Sequence, residues 1–339
     1  MRMRRGESGL SFVVGVDKPK GMTSHDVVNR CRRIFGEKRI GHTGTLDPMA
    51  SGAMAVCVGP ATKLSNYLTF HDKAYMARIV FGQATDTDDA EGAVIRTAEV
   101  PDQLSDMAFA QAALSRMVGV SSQMPPAYSA IKVDGVKSYE AARKGKVIDL
   151  RPRQIEVYRA DLAFAGHDEQ GRLFWDVRFE VSAGTYVRSI ARDLGVSLGT
   201  CAHLGALRRL RSGRLSVGEC VSLEALENDA NAGRIDPLRL LGTRYASVDD
   251  AAISKAVANG AAVSPAALRL LERFEPETPN EQDSSCTPYV APSEAPLAEG
   301  EIVALLRDNR LVALYGYDCG SGLLKSRCGF SQGVTRGII

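Results

Sequence analysis

Gly41-His42-Thr43-Gly44-Thr45-Leu46-Asp47-Pro48-Met49-Ala50-Ser51-Gly52 is the stretch around which this chain is organised. One short loop holds an acid, an imidazole, several small residues and a proline. Arg32, Arg33, Lys38 and Arg39 precede it, and the apolar run Ala53 to Val58 follows it. Gly44, Asp47 and Pro48 set turn geometry at little cost, so a solvated turn accounts for the loop about as well as a site does. The segments on either side have to decide between the two.

Composition narrows the field first. A chain of 339 residues predicts about two domains, at ~150 residues each. An apolar fraction of 45% and a charged fraction of 24% are ordinary for globular chains, so a core can be buried. A net charge of +2 does not announce a nucleic-acid binder, which leaves local clustering to carry any such argument. The seven cysteines are scattered and form no C-x-x-C pair, so neither a disulfide framework nor a structural zinc site is indicated, and a reducing cytoplasm fits. Met1-Arg2-Met3-Arg4-Arg5 opens like a signal peptide, but the apolar run behind it, Phe12 to Val16, is too short for one. No stretch approaches the ~18 apolar residues of a membrane span, and a soluble protein is expected.

Phe12 to Val16 reads as a buried strand, broken by Asp17-Lys18-Pro19-Lys20-Gly21. Thr23 then offers a helix N-cap with Asp26 three positions on. The helix that follows puts Val27, Cys31, Ile34 and Phe35 on one face and Asn29, Arg30, Arg32 and Arg33 largely on the other. That charged face is either solvated or turned to phosphates. Ala53 to Val58 is a strand, Ala61 to Leu68 a helix, and Lys73 to Gly82 a strand with Tyr75, Ala77, Ile79 and Phe81 on one face. Tyr75 is core in such a setting, or a stacking platform for a base if it lies beside the acidic loop. Gln83 to Gly92 fails the EF-hand spacing and reads as an acidic turn between strands.

Leu104 to Met117 is a predicted helix, and Gln123 to Ala130 is extended. Asp134-Gly135 marks a hairpin turn and Tyr139 to Lys144 a short helix. Lys132, Lys137, Arg143, Lys144, Lys146, Arg151 and Arg153, with Tyr128 and Tyr139 among them, suit a segment that grips nucleic acid; a solvated loop suits them equally. Ile155 to Phe164 and Leu173 to Val181 alternate as strands. A glycine turn at Gly184 leads into a helix with Val187, Ile190, Ala191 and Leu194 inward. Arg188 sits in its first turn, where the helix dipole gives a cation nothing, so it should answer an acid elsewhere. His203 to Gly213 is a second dense basic cluster. Val248 to Ala267 reads as helical, residues 274–298 as a disordered insertion, and Ile302 to Leu306 with Leu311 to Gly316 as a hairpin about Asp308-Asn309. Leu323 to Phe330 adds a strand.

Taken in order, Asp17 to Ser24, Gly41 to Pro48 with Ala50-Ser51-Gly52, Tyr75, Gln123 to Ser129, Gly184-Thr185-Tyr186-Val187-Arg188 and Leu207 to Gly213 resemble the TruB-type tRNA pseudouridine-55 synthases of bacteria. The likeness runs from about residue 11 to 225. It implies an α+β pseudouridine-synthase fold with a central mixed, mainly antiparallel sheet flanked by helices and loops. A catalytic domain over 11–245, with an RNA-gripping thumb at about 121–153, would precede a small C-terminal β-domain over 246–339. The family often ends in a PUA-type domain, and the hairpin about Asn309 is compatible with one. The implied reaction converts uridine 55 of the tRNA T-loop to pseudouridine: uracil leaves the ribose at N1, rotates and rejoins through C5, with no cofactor or metal. The base must first leave the stack.

By the same resemblance Asp47 is the catalytic carboxylate, adding to ribose C1′ or removing the 2′ proton, and Arg188 is the cation that keeps it ionised. Tyr75 would stack on the flipped uracil and Tyr186 and Leu207 would line its pocket. His42 would fill the space the base vacates, and Lys18 and Pro19 would pack against the pocket loop. The loop's glycines would let the backbone approach a folded RNA loop. The partner is tRNA at its T-loop and elbow, bound by shape and splayed bases, to a cytoplasmic monomer. Two other functions compete: a non-catalytic tRNA-binding or folding chaperone with Asp47 a mere turn residue, and a synthase acting on another RNA. A phosphate-binding hydrolase ranks low, because no G-x-x-x-x-G-K-[ST] pattern accompanies the loop.

Overall fold

In a computed structural model, residues 8–69, 71–128, 132–133, 136–137, 150–272, 293 and 295–337 are described. The alternation of two strands decides how the layers stack. β1 (Phe12–Lys18) and β3 (Ala50–Val58) run antiparallel, and β2 (Ile40–Thr43) pairs with β3 as well. Phe12, Val14 and Val16 of β1, with Met54, Val56 and Val58 of β3, face the helix Ser24–Phe35. The intervening Val13, Ala53, Ala55 and Cys57 face the opposite way, into a cluster shared with the C-terminal sheet. A period of two thus builds two cores from one pair of strands. The helix begins where expected: Thr23 and Asp26 form a reciprocal capping box, and Gly36 ends it in a left-handed conformation.

The sheet continues through β4 (Lys73–Phe81), paired antiparallel with β11 (Leu173–Val181), which pairs with β10 (Arg153–His167), which pairs with β7 (Gly119–Gln123). β12 (Ala202–Ser212) lies between β3 and β4, parallel to the first and antiparallel to the second. With β13 (Leu215–Ser216) and β14 (Arg234–Ile235) this makes a ten-stranded mixed, mainly antiparallel sheet, as the resemblance implies. Tyr75, Ala77, Ile79 and Phe81 share a face and meet Trp175, Val177, Phe179 and the inward side of the helix Val187–Ser197. Trp175 is fully buried, and its indole N–H donates to the Leu104 carbonyl at 2.9 Å. β5 (Gln83–Thr85) and β6 (Val94–Thr97) form a separate ribbon around the acidic turn.

Several expected elements come out shorter. Ala61 to Leu68 is a 3-10 turn, Gly59–Leu64, leading into one turn of α-helix, Ser65–Leu68. The long alanine-rich helix is confined to Ala251–Ala258, because Gly260 takes a left-handed conformation just past it. β8 (Lys132–Val133) and β9 (Val136–Lys137) pair as a hairpin, while its turn residues and the expected helix from Tyr139 to Lys144 lie outside the described residues.

β15 (Arg244–Ser247), β16 (Ile302–Arg307), β17 (Arg310–Asp318) and β18 (Leu323–Thr335) form the second sheet. β15 begins it two residues ahead of residue 246. Asp308 and Asn309 both have positive φ, the geometry of a tight hairpin turn. Most of 274–298 lies outside the described residues, but its end is ordered. Arg244 donates to Ser293 Oγ and to the carbonyls of Ala295 and Pro296 while pairing with Glu301 at 2.7 Å. The expected disorder therefore does not extend through residues 295–298, where a buried guanidinium gathers the chain. Among the described residues no helix is long and apolar enough to cross a membrane.

Candidate active site

The 41–52 loop is held from three sides. From the helix start, Ser24 Oγ both accepts from Leu46 N–H at 2.8 Å and donates to its carbonyl at 3.0 Å. From β1, the fully buried Lys18 donates through Nζ to the carbonyls of Pro19, Met22 and Pro48, and Gly21 N–H also reaches Pro48. From β12, the buried Arg209 donates to the carbonyls of Gly44, Thr45 and Ala53. Two glycines make room for that arginine. Gly52 has φ near 113°, and a Cβ there would lie 2.2 Å from the Arg209 carbonyl; Gly44 has φ near 85°. Gly52 serves the close approach of β3 and β12, while Gly44 lies in the lining of the Asp47 cavity.

Asp47 projects into a cavity of about 740 Å³. Its Oδ2 lies 3.0 Å from Arg188 Nε. Arg188 is almost fully buried and every part of its fork is engaged: Nη1 donates to the Thr87 carbonyl and lies 3.5 Å from Asp89 Oδ2, and Nη2 donates to the Tyr128 carbonyl. This answers why an arginine occupies a helix first turn. Burial pushes the Asp47 carboxyl above its ordinary range and nearby Asp89 adds to the rise, while Arg188 and Lys18 pull it back down. The carboxylate remains about one-third exposed at the cavity wall. Burial likewise lowers Lys18, against the attraction of Asp47, to about 8.

Tyr75, Tyr186 and Leu207 line the same cavity, so five of the eight residues singled out from the sequence meet there. Lys18 and Pro19 sit behind the loop rather than in the cavity, Pro19 exposed and supplying a carbonyl to Lys18. His42 lies half-buried on β2 outside the cavity lining, lowered by burial and by Arg209, with a buried Nδ1 that has no hydrogen-bond partner among the described residues.

Four further residues belong to this arrangement, and the sequence did not single them out. Asp89 is buried in the turn read as merely acidic, its Oδ1 accepting from Thr87 Oγ1 and Glu91 N–H. Gln123 is buried and clamps the Tyr186 backbone, donating to its carbonyl at 3.1 Å and accepting from its N–H at 2.9 Å. Lys73 lines the cavity, with burial lowering it to about 8. Arg209 lay inside the cluster read as basic; of its neighbours, Arg208 pairs with Asp17 and Arg211 with Glu180. Two of the cluster's arginines are therefore offset by acids on β1 and β11, while Arg209 donates to carbonyls. Only strand alternation, putting Arg209 and Tyr75 side by side across β12 and β4, gave any hint. Arg30, on the helix face left open between solvent and phosphate, pairs with Glu227 at 2.7 Å. Among the described residues no group of three or more His, Cys, Asp or Glu is arranged to hold a metal ion.

Residues 32–187 match the model of the TruB family pseudouridylate synthase N-terminal domain, and residues 188–239 match the tRNA pseudouridylate synthase B C-terminal domain. The chain belongs to the TruB family of pseudouridylate synthases. It is 41% identical over 257 residues to a tRNA pseudouridine synthase B of Mycobacteroides abscessus, covering 76% of this chain and 85% of that one. A Mycobacterium avium relative of the same name is 41% identical over 302 residues, covering 87% and 92%, and one from Syntrophotalea carbinolica is 47% identical over 218 residues, covering 64% and 69%. In fold, the chain resembles one in an H/ACA RNP bound to a substrate RNA containing 2′-deoxyuridine, with TM-score 0.64 at 21% identity over 95% of this chain and 85% of that one. A chain of a Cbf5-Nop10-Gar1 complex gives 0.63 at 23% identity over 96% and 86%. The TruB-family match spans both halves of the cavity wall, since Asp47 falls in the first matched region and Arg188 opens the second.

Proposed function

We propose that this TruB-family isomerase converts uridine 55 in the T-loop of tRNA to pseudouridine, with Asp47 as its catalytic carboxylate. The observation that carries the reading is the Asp47–Arg188 pair in the wall of a cavity flanked by Tyr75 and Tyr186. In the reaction the C1′–N1 bond breaks and a C1′–C5 bond forms, the C5 proton is lost and N1 gains one, so substrate and product are isomers. Addition of Asp47 to C1′ and removal of the 2′ proton by Asp47 make the same demand, an ionised carboxylate against the ribose. Arg188 supplies the opposing charge that favours ionisation where burial disfavours it.

Tyr75 and Tyr186 offer flat faces to an extruded uracil, and stacking of a base on an aromatic ring contributes about 1–3 kcal/mol. His42, its imidazole held below its ordinary range by burial and by Arg209, fills the stack that the base vacates. Lys18 and Pro19 brace the loop from behind. The segment at 121–153 is the RNA-gripping thumb, residues 11–245 the catalytic domain and 246–339 the C-terminal domain. The enzyme works as a monomer in the bacterial cytoplasm. Purified protein given unmodified tRNA tritiated at uridine C5 should release label, and Asp47→Asn should release none. Wild-type protein that binds tRNA without release points to the chaperone reading instead; release from RNAs lacking a T-loop points to another substrate.

A further inference from the structure

A second cavity, of about 600 Å³, opens beside β2 and is lined by Arg32, Lys38, Arg39, Gly41, Thr62 and Ser65. Two of its cations are held by neutral acceptors. Arg32 donates from Nε to the Lys38 carbonyl at 3.2 Å and from Nη1 to Asn29 Oδ1 at 2.9 Å. Arg39 donates from Nε to Thr62 Oγ1 at 2.8 Å, and that hydroxyl is fixed in turn by donating to the Gly59 carbonyl at 2.9 Å. The Nη atoms of Arg39 have no acceptor among the described residues. Arg30, from the same helix as Arg32, is by contrast consumed by two bonds to Glu227. Positive charge continues past the rim at Lys63, which donates to the Gly329 carbonyl.

A fixed guanidinium fork without a carboxylate suits a phosphate, which it can engage through two parallel hydrogen bonds. The position of the recess selects the source. Gly41 lines it and Gly44, three residues on in the same loop, lines the Asp47 cavity. An RNA strand whose nucleotide enters the Asp47 cavity therefore carries its neighbouring backbone past the recess. We propose that the Arg32–Arg39 recess binds a backbone phosphate of the same RNA strand whose target nucleotide enters the Asp47 cavity. This rests on the tRNA reading of that cavity.

The test uses full-length protein and an unmodified tRNA transcript. Arg39→Gln and Arg32→Gln should each weaken binding and reduce the slope of log Kd against log salt by about 0.7–0.9, the loss of one phosphate contact. KM should rise with kcat at saturating tRNA within about twofold of wild type. Phosphate-ethylation interference should lose one protected position in Arg39→Gln. Arg39→Lys, which keeps the charge without the fork, should keep the slope and lose affinity, and similar melting of all four proteins establishes their folding. An unchanged slope and unchanged interference in both glutamine variants overturns the proposal, as does a fall in kcat at constant slope. Absence of tritium release by wild-type protein is a separate failure, of the functional reading; the salt slopes still score the recess.

Discussion

At the scale of single residues the active cavity is a balance of two opposed effects on one carboxyl. Burial and Asp89 raise Asp47, and Arg188 and Lys18 lower it. Because the proposed reaction uses its ionised form, activity should fall on the acid side as pH drops through that raised value. Arg188→Ala removes the larger of the two lowering causes, so the acid limb should move to higher pH, while Lys18→Met should move it the same way by less. Arg188→Ala also takes the cation from the buried Asp89, a stability cost of up to about 3–5 kcal/mol for a broken buried pair. Arg188→Lys keeps the charge but cannot serve Asp47, Asp89, Thr87 and Tyr128 together. It should fold better than the alanine variant yet lose turnover far more than tRNA affinity. Single-turnover rates across pH for the three variants check this. An unshifted acid limb in Arg188→Ala would show that the arginine does not act on the Asp47 proton. A sequence could reveal the oddity of Arg188 in a helix first turn, since that follows from dipole geometry. It could not reveal Asp89, because an acid in a turn looks the same whether solvated or buried.

At the scale of elements, the site depends on where β7 meets the start of the helix Val187–Ser197. Gln123 ends β7 and fixes both backbone groups of Tyr186, the residue that caps this helix. Ser189 and Arg192 tie the next turns to the Met124 carbonyl. Gln123→Leu fills similar space but removes the acceptor of the Tyr186 N–H, at about 1–3 kcal/mol, while the Tyr186 carbonyl keeps its bond from the Ile190 N–H at 3.1 Å. We expect a lower midpoint in urea and a loss in kcat exceeding the loss in tRNA affinity, since Tyr186 and Arg188 both move with that turn. Gln123→Glu retains the acceptor for the Tyr186 N–H and should fall between. Equal behaviour of the two variants would argue against the clamp. The strands themselves were legible, because alternation in Lys73–Phe81 and Leu173–Val181 reports burial on one face directly. The clamp was not: a glutamine at a strand end carries no sign of the partner it will meet 63 residues later.

At the scale of the whole molecule, the two sheets are joined through the reverse face of β1 and β3. Val13, Ala53 and Leu64 share one cluster with Leu306, Leu314 and Phe330 of the second sheet. Thr335 N–H donates to the Ser11 carbonyl at 2.7 Å across the same junction. A hairpin about Asp308-Asn309 could be read from its turn residues, but its packing partner could not, because small residues such as Ala53 and Ala55 say only that something comes close. The shared cluster means that the second sheet should not melt alone. Leu314→Ala, at a fully buried position of that cluster, should cost about 2–5 kcal/mol. The loss should appear as one cooperative transition at lower temperature, with the Asp47 cavity losing activity over the same range. Calorimetry on wild type and Leu314→Ala, paired with tritium release after heating to each temperature, checks it. Two resolved transitions, with activity following only the upper one, would mean that the junction transmits little and that the catalytic sheet stands on its own core.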